Sequence, residues 1–191
     1  MVQDDDGYIW LACWGGVSKF DGITFTDYKK YFEGEAGKSL GKRFTDIYYD
    51  GFGYIIALSY DISMYRFRGD SKTSFTTISN DIEKIFKLSG NDFIVTTSGQ
   101  RVLRSSYSGD GKTFFLKTYL SFSKSNPVNS IASDHQGNLW IMAREGIYKN
   151  KQKLIDLNAN CMMEIGDDVF FGCMDGNVLK YTKGKFIGLK S

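Results

Sequence analysis

One histidine, one proline and three cysteines in 191 residues leave this sequence short of the parts most protein chemistry uses. His135 alone cannot assemble a histidine-dependent triad, a three-histidine zinc site or a histidine–cysteine metal cluster. Cys13, Cys161 and Cys173 are odd in number and have no Cys-x-x-Cys spacing, so they suggest neither a disulfide framework nor a structural zinc site. Charge of either sign is not in excess. Lys and Arg total 24 against 22 Asp and Glu, a net +2, which gives no electrostatic reason to expect a nucleic acid or an acidic membrane as partner. No apolar run nears the roughly 20 residues of a membrane-spanning helix. The opening Met1-Val2-Gln3-Asp4-Asp5-Asp6 is the reverse of a basic, apolar export signal, and the chain is expected to be soluble.

What is abundant points to strands. The sequence holds 21 Gly, 12 Tyr and 15 Phe, the usage of β-strands separated by tight turns, at a length that suits one domain with one sizeable core. The stretch from Tyr28 to Leu40 is polar and carries Gly34 and Gly37, so it reads as a long loop with at most one turn of helix.

A repeat organises the rest. Asp4-Asp5-Asp6-Gly7-Tyr8-Ile9-Trp10-Leu11-Ala12-Cys13, then Gly16-Val17, has the spacing of Asp134-His135-Gln136-Gly137-Asn138-Leu139-Trp140-Ile141-Met142-Ala143, then Gly146-Ile147. A degenerate copy runs from Asp50 to Ser59, and weaker ones centre on Phe93–Thr97 and Val169–Cys173. The equivalent anchors Trp10, Ile56, Ile94, Trp140 and Phe170 are separated by 46, 38, 46 and 30 residues, a loose period such as loop insertions produce. In each unit an alternating segment such as Phe44–Tyr49 or Val128–Ser133 precedes an Asp-x-x-Gly turn, where Asp bonds backbone N–H groups ahead of it and Gly supplies positive φ. The anchor strand follows, then a glycine turn and a third strand. A last strand begins at Phe25, Phe75, Phe114, Leu154 or Phe186. Four strands per unit predict an all-β fold, a β-propeller or propeller segment of about five four-stranded antiparallel blades. The units cover approximately 1–42, 43–79, 80–121, 122–158 and 159–191, the first short of most of its leading strand.

Asp134-x-x-Gly137-Asn138-Leu139-Trp140-Ile141 with Gly146-Ile147-Tyr148, and Asp5-Asp6-Gly7-Tyr8-Ile9-Trp10-Leu11 with Gly16-Val17, resemble the two-component regulator propeller repeat. Two units match it well, one moderately and two in outline. The resemblance implies the extracytoplasmic, periplasmic sensor half of a hybrid two-component regulator of the kind best known from gut Bacteroidetes. Such a sensor binds a glycan fragment, often as a homodimer, and signals to a histidine kinase in the same polypeptide, with the remaining blades as further partners. No cofactor, metal, nucleic acid or direct membrane contact is implied.

Aligning the units places Cys13, Ser59, Thr97, Ala143 and Cys173 at one small-residue position, read as packing towards a crowded axis; Cys161, on a predicted inner strand, is read the same way. Trp10 and Trp140 are read as inter-blade core. The next position holds Trp14, Tyr60, Ser98, Arg144 and Met174, in the turn that leaves each anchor strand. Trp14 and Tyr60 are candidates to stack on a sugar ring, whose C–H face is apolar, and Arg144 to pair with a carboxylate or sulfate. The competing reading is of ordinary variable loop residues.

Other echoes carry less. Gly34-Glu35-Ala36-Gly37-Lys38-Ser39 lacks the first glycine of a phosphate loop, because position 32 is Phe32. Arg68-Gly69-Asp70 is a hairpin tip by position. Asp4-Asp5-Asp6-Gly7 supplies too few oxygens for calcium and reads as a turn. Asp167 and Asp168, adjacent on a strand, face opposite ways and do not form an acid–base pair. His135 is expected to be solvated in an exposed turn. Two further functional classes stand beside the sensor: a protein-interaction scaffold, with a cytoplasmic location that three free thiols favour, and a propeller polysaccharide lyase or glycosidase, for which no axial cluster is evident.

Overall fold

The computed structural model describes residues 1–28, 43–69 and 76–189. Among them every regular element is a strand, and the strands form five four-stranded antiparallel sheets, each a simple meander in chain order. Sheet 1 contains β1 (Val2–Gln3), β2 (Ile9–Cys13), β3 (Gly16–Phe20) and β4 (Phe25–Asp27). Sheet 2 has β5 (Phe44–Tyr49), β6 (Ile55–Ser59), β7 (Met64–Phe67) and β8 (Thr76–Ser79). Sheet 3 has β9 (Ile82–Lys87), β10 (Phe93–Thr97), β11 (Arg101–Tyr107) and β12 (Phe114–Ser121). Sheet 4 has β13 (Val128–Ser133), β14 (Leu139–Ala143), β15 (Gly146–Lys149) and β16 (Gln152–Ile155). Sheet 5 has β17 (Ala159–Ile165), β18 (Asp168–Cys173), β19 (Val178–Thr182) and β20 (Lys185–Leu189). The first sheet does begin on a stub, two residues long.

Phe25 and Phe114 open their strands as expected, whereas β16 starts two residues before Leu154 and β20 one before Phe186, because the preceding turns are tight enough to let pairing begin at Gln152 and Lys185. Phe75, Asp70, the loop expected over 29–40 and the Gly34–Ser39 echo lie outside the described residues.

By contacts the chain divides into two compact units, one of residues 1–98 and 105–116, the other of 99–104 and 117–191. In the first, Trp10 and Val17 of sheet 1 pack with Phe44, Ile47, Ile55, Ala57 and Phe67 of sheet 2. Tyr28 closes this core by packing its ring at a tilt against Trp10 and donating its hydroxyl to the Gly69 carbonyl at 2.8 Å. Sheets 2 and 3 join through Tyr48, whose ring meets Phe93 edge-on and whose hydroxyl donates to the Ile85 carbonyl at 3.0 Å. Burial pushes that phenol up to about 12, so it stays a donor at any physiological pH. In the second unit Trp140, Met142 and Ile147 of sheet 4 pack with Ala159, Val169, Phe171 and Cys173 of sheet 5.

The Asp-x-x-Gly turn does more than turn. Gly7, Gly53 and Gly137 take φ of +86°, +82° and +78°, and Asp4, Asp50 and Asp134 accept backbone N–H groups ahead of them, as the sequence predicts. The second carboxylate oxygen then reaches into the core. Asp4 accepts from the Trp10 indole at 2.7 Å and Asp134 from the Trp140 indole at 2.9 Å, so each large buried ring has its one polar atom satisfied. Burial by itself opposes ionisation of Asp134, but the bonds from Trp140 and Asn138 prevail and hold its carboxyl below the usual range.

Sheet 2 has Ile56 at the anchor and no indole to offer. There Asp50 pairs instead with Arg66, Nε to Oδ2 at 2.8 Å, and both side chains are buried. The guanidinium lies over the Tyr54 ring at 3.7 Å and donates to the carbonyls of Gly111 and Lys112. A basic residue stands beside the anchor in other sheets as well: Lys19 pairs across from Trp10, Lys149 from Trp140 and Lys180 from Phe170.

Two expectations need correction. Cys161 sits on a strand but is exposed, since it lies on the side of sheet 5 that no described residue covers, whereas Cys173, on the opposite side, is buried and has its thiol pushed up by burial. His135 is exposed yet not merely solvated. Its Nδ1 is 2.5 Å from Glu164 Oε1 and its backbone N–H donates to Oε2 at 2.9 Å, tying the turn of sheet 4 to β17. The Glu164 hydrogen bond raises the imidazole above its ordinary value of 6.5. A raised folded-state value means the contribution to stability is complete below the unfolded value and is lost as pH rises through the folded one. Denaturation midpoints of the native chain should therefore exceed those of His135→Asn at pH 6 and converge with them in mildly alkaline buffer. A gap independent of pH would refute the ion pair.

Candidate functional site

The turn that leaves each second strand is built the same way in three sheets. Tyr60 N–H donates to the Arg43 carbonyl at 2.7 Å, Arg144 N–H to the Pro127 carbonyl at 3.0 Å and Met174 N–H to the Asn158 carbonyl at 2.8 Å. Each acceptor is the residue just before the first strand of the same sheet. In sheet 3 the Asp81 carboxylate takes the Ser98 N–H in place of a carbonyl. Two residues past each acceptor carbonyl, the first strand carries an extra residue, Thr45, Asn129 or Asn160, where the register with the second strand shifts. Such bulges re-aim side chains at the end of a strand. The backbone is thus pinned in sheets 2, 3, 4 and 5, while the side chain at this position changes from Trp to Tyr, Ser, Arg and Met along the chain.

Those side chains point into solvent. Trp14 is 75% and Tyr60 74% exposed, and Ser98, Arg144 and Met174 are exposed too. The first unit brings Trp14 and Tyr60 to a common neighbour: the Arg43 guanidinium lies 4.2 Å from the Trp14 ring, and the carbonyl of the same Arg43 holds the Tyr60 backbone. Arg43 covers one side of the indole. An exposed aromatic face beside a charge-bearing planar donor can take the apolar face of a sugar ring and, at its edge, a hydroxyl or carboxylate oxygen. In the second unit Arg144 lines a shallow cleft of about 420 Å³ with Glu145, Lys153, Asp156, Leu157 and Asn158, in which Lys153 is ion-paired to Asp156. Met174 lines a neighbouring cleft of about 390 Å³ with Asp156, Leu157, Asn158 and Asp175.

Arg43 was not picked out from the sequence, since no repeated residue type marks its place. The signal that could have found it is positional: the residue before each first strand, here Arg43, Pro127 and Asn158, is the one whose carbonyl holds the backbone N–H of the displayed residue. Among the described residues no group of His, Cys, Asp and Glu has the makings of a metal site, and Asp168 is engaged with Lys180 at 2.6 Å while Asp167 is solvent-exposed. No helix among them is long and apolar enough to cross a membrane.

Comparison with known structures agrees with the architecture. The extracellular domain of a hybrid two-component system from B. thetaiotaomicron superposes with a TM-score of 0.60 at 15% identity, over 98% of this chain and 26% of its own length. PorZ, a surface component of the type-IX secretion system of Porphyromonas gingivalis, gives 0.57 at 14% identity, over 96% of this chain and 25% of its own. YCF48 from Cyanidioschyzon merolae gives 0.58 at 13%, over 100% and 71%. This chain therefore spans about a quarter of the first two. No curated protein matches the sequence. At such identities the likeness establishes the fold, which is all-β and of the β-propeller class, in five four-stranded antiparallel blades with the first one short. Residues 123–144, which run from the loop before β13 through the Asp134 turn to the end of β14, match the family described as two component regulator propeller.

Proposed function

We propose that this chain is the ligand-sensing part of an extracytoplasmic receptor in a two-component system, without chemistry of its own, and that its ligand is a glycan fragment held at the displayed turn positions. The observation that carries the reading is the Trp14–Arg43–Tyr60 group: two exposed aromatic rings, that of Tyr60 on a backbone held by Arg43, and a guanidinium against Trp14, residue types whose burial against a ligand would be repaid and whose exposure otherwise costs. Arg144 serves the same purpose in the second unit, for an acidic substituent. The repeat family supports the sensor role, and the extracellular domain among the structural relatives supports a location outside the cytoplasm. In this reading the kinase, the further blades and a homodimeric receptor belong to the complete protein.

Calorimetric titration with neutral, uronic-acid and sulfated oligosaccharides tests it. One glycan class should bind and raise the thermal midpoint of the native chain through preferential binding to the folded state. Trp14→Ala and Tyr60→Ala should each weaken that binding at least tenfold while leaving the ligand-free midpoint within a degree or two, because exposed side chains contribute little to stability. No response to any glycan class, together with capture of a protein partner that the same two substitutions disrupt, would replace the sensor by an interaction scaffold.

A further inference from the structure

In sheets 1, 2, 4 and 5 a basic residue stands directly across from the anchor, and what answers its charge differs from sheet to sheet. Arg66 of sheet 2 is held by the turn aspartate Asp50 and by the Gly111 and Lys112 carbonyls, and Lys180 of sheet 5 by Asp168 at 2.6 Å. In sheets 1 and 4 the anchor is an indole that has already claimed the turn aspartate. Asp4 accepts from the Tyr8 N–H and the Trp10 indole on its two oxygens, and Asp134 accepts from Asn138 and Trp140 in the same way. Lys19 and Lys149 are left over.

Each of these two ammonium groups lies over aromatic rings, with no oxygen acceptor in reach among the described residues. Lys19 Nζ is 3.5 Å from the centre of the Tyr8 ring and 5.6 Å from that of Trp10, while Lys149 Nζ is 5.2 Å from Trp140 and 5.6 Å from Tyr181. Both side chains are half-buried. A ring face steadies the cation but leaves its N–H donors without an oxygen.

Both lysines open into clefts of the same construction, each inside one compact unit. Lys19 lines a cleft of about 300 Å³ with Tyr8, Trp10 and, from sheet 2, Tyr49 and Ile55. Lys149 lines one of about 270 Å³ with Trp140 and, from sheet 5, Glu164, Val169 and Tyr181. The pair Tyr49–Ile55 and the pair Glu164–Val169 occupy the same place in their sheets. Asp5 accepts from the Tyr49 hydroxyl at 2.7 Å and Glu164 is bonded to His135, so these acids are engaged, while Asp6 and Asp167 stand exposed at the rims. What each cleft leaves open is an ammonium donor beside an apolar wall, Trp10 with Ile55 in one and Trp140 with Val169 in the other.

We infer that the two clefts are sites for a small monocarboxylate with a short apolar body, its carboxylate on Lys19 or Lys149 and its body along that wall. A carboxylate is what meets the basic residue at this position in sheets 2 and 5, and a charge-assisted bond is the strongest answer to an ammonium group. The cleft volumes lie at the lower end of small-molecule sites, which suits a ligand of few atoms. Both clefts lie by the turn that enters the second strand, at the opposite end of that strand from the displayed turn, and the inference is independent of the glycan reading.

Amide correlation spectra recorded during titration with sodium butyrate at constant ionic strength test it. Saturable shifts are expected at Tyr8 and Lys19, and at Lys149 and Tyr181. Lys149→Met, which keeps an apolar stem over Trp140, should abolish the second set and leave the first, and Lys19→Met should do the reverse, with thermal midpoints confirming that both variants fold. Butyramide, which has the same body without the charge, should move neither set. Absence of saturable shifts, equal shifts from butyramide, or shifts that persist in the matching variant would overturn the proposal. So would a blocked glutamyl peptide that binds where butyrate does not, since the partner of these lysines would then be a protein side chain and not a free acid.

Discussion

Trp140→Ala should lower the free energy of unfolding by about 3–5 kcal/mol, the cost of emptying a large aromatic site in a packed core. The ring is fully buried, meets Phe171 and Tyr181 at centroid distances of 5.2 and 5.1 Å, and carries Lys149 over its face. Removing it also takes away the indole donor of Asp134. Trp140→Phe separates the two effects, since most of the apolar contact survives while the carboxylate loses a charge-assisted bond, an expected loss of about 1–3 kcal/mol. Equilibrium denaturation measures both. Because the chain divides into two compact units, the transition of the unit containing residues 117–191 should move most. If the phenylalanine variant were as unstable as the alanine one, the hydrogen bond and not the packing would be dominant, and the core reading of the anchor would fail.

Arg66→Met is the second large effect. The guanidinium and Asp50 are both buried, and Arg66 serves Asp50 and the carbonyls of Gly111 and Lys112 at once, so its loss leaves a buried carboxylate without its counter-charge and the buried Gly111 carbonyl without its donor. Breaking one side of a buried ion pair typically costs about 3–5 kcal/mol. The double variant Asp50→Asn with Arg66→Met removes the charge as well as its partner, and should recover part of that loss. A double variant less stable than Arg66→Met alone would show that the Asp50 side chain matters chiefly for its turn, where its Oδ1 accepts from Phe52 and Tyr54, and not for the pair.

These two sites mark what the sequence made readable and what it did not. The Trp10 and Trp140 units announce themselves because a turn aspartate, a glycine at positive φ and a large aromatic recur at fixed spacing, and the same three residues do the local work in space. Sheet 2 was harder to see, since its anchor is Ile56 and the part played elsewhere by indole has passed to Arg66, ten residues further on and on a different strand. The ion pair between His135 and Glu164 was equally hidden, because nothing in a linear pattern relates a turn residue to a strand 29 positions away. Cys161 departs from the packing expected of it for a physical reason. Alternation predicts which side of a strand a residue occupies, but burial depends on whether another sheet covers that side, and for sheet 5 only one side is covered.

The candidate site was legible in outline. Exposure and a common position for Trp14, Tyr60 and Arg144 followed from the alignment of repeats, whereas the pinning hydrogen bonds and the placement of Arg43 over Trp14 required coordinates, since they depend on where each first strand begins. Those bonds turn a variable loop position into a fixed point of display.

The most direct test of that claim uses the three tryptophans, which give three indole N–H resonances in an amide correlation spectrum. Two of these protons are bonded to the turn aspartates Asp4 and Asp134 and the third, of Trp14, belongs to an exposed ring beside Arg43. Titration with the glycan class that binds should shift the Trp14 indole resonance progressively and leave those of Trp10 and Trp140 in place. Saturable binding that moves the Trp10 or Trp140 resonance while Trp14 stays unchanged would contradict the account, because the ligand would then sit at the core side of the blades and not on the displayed turns.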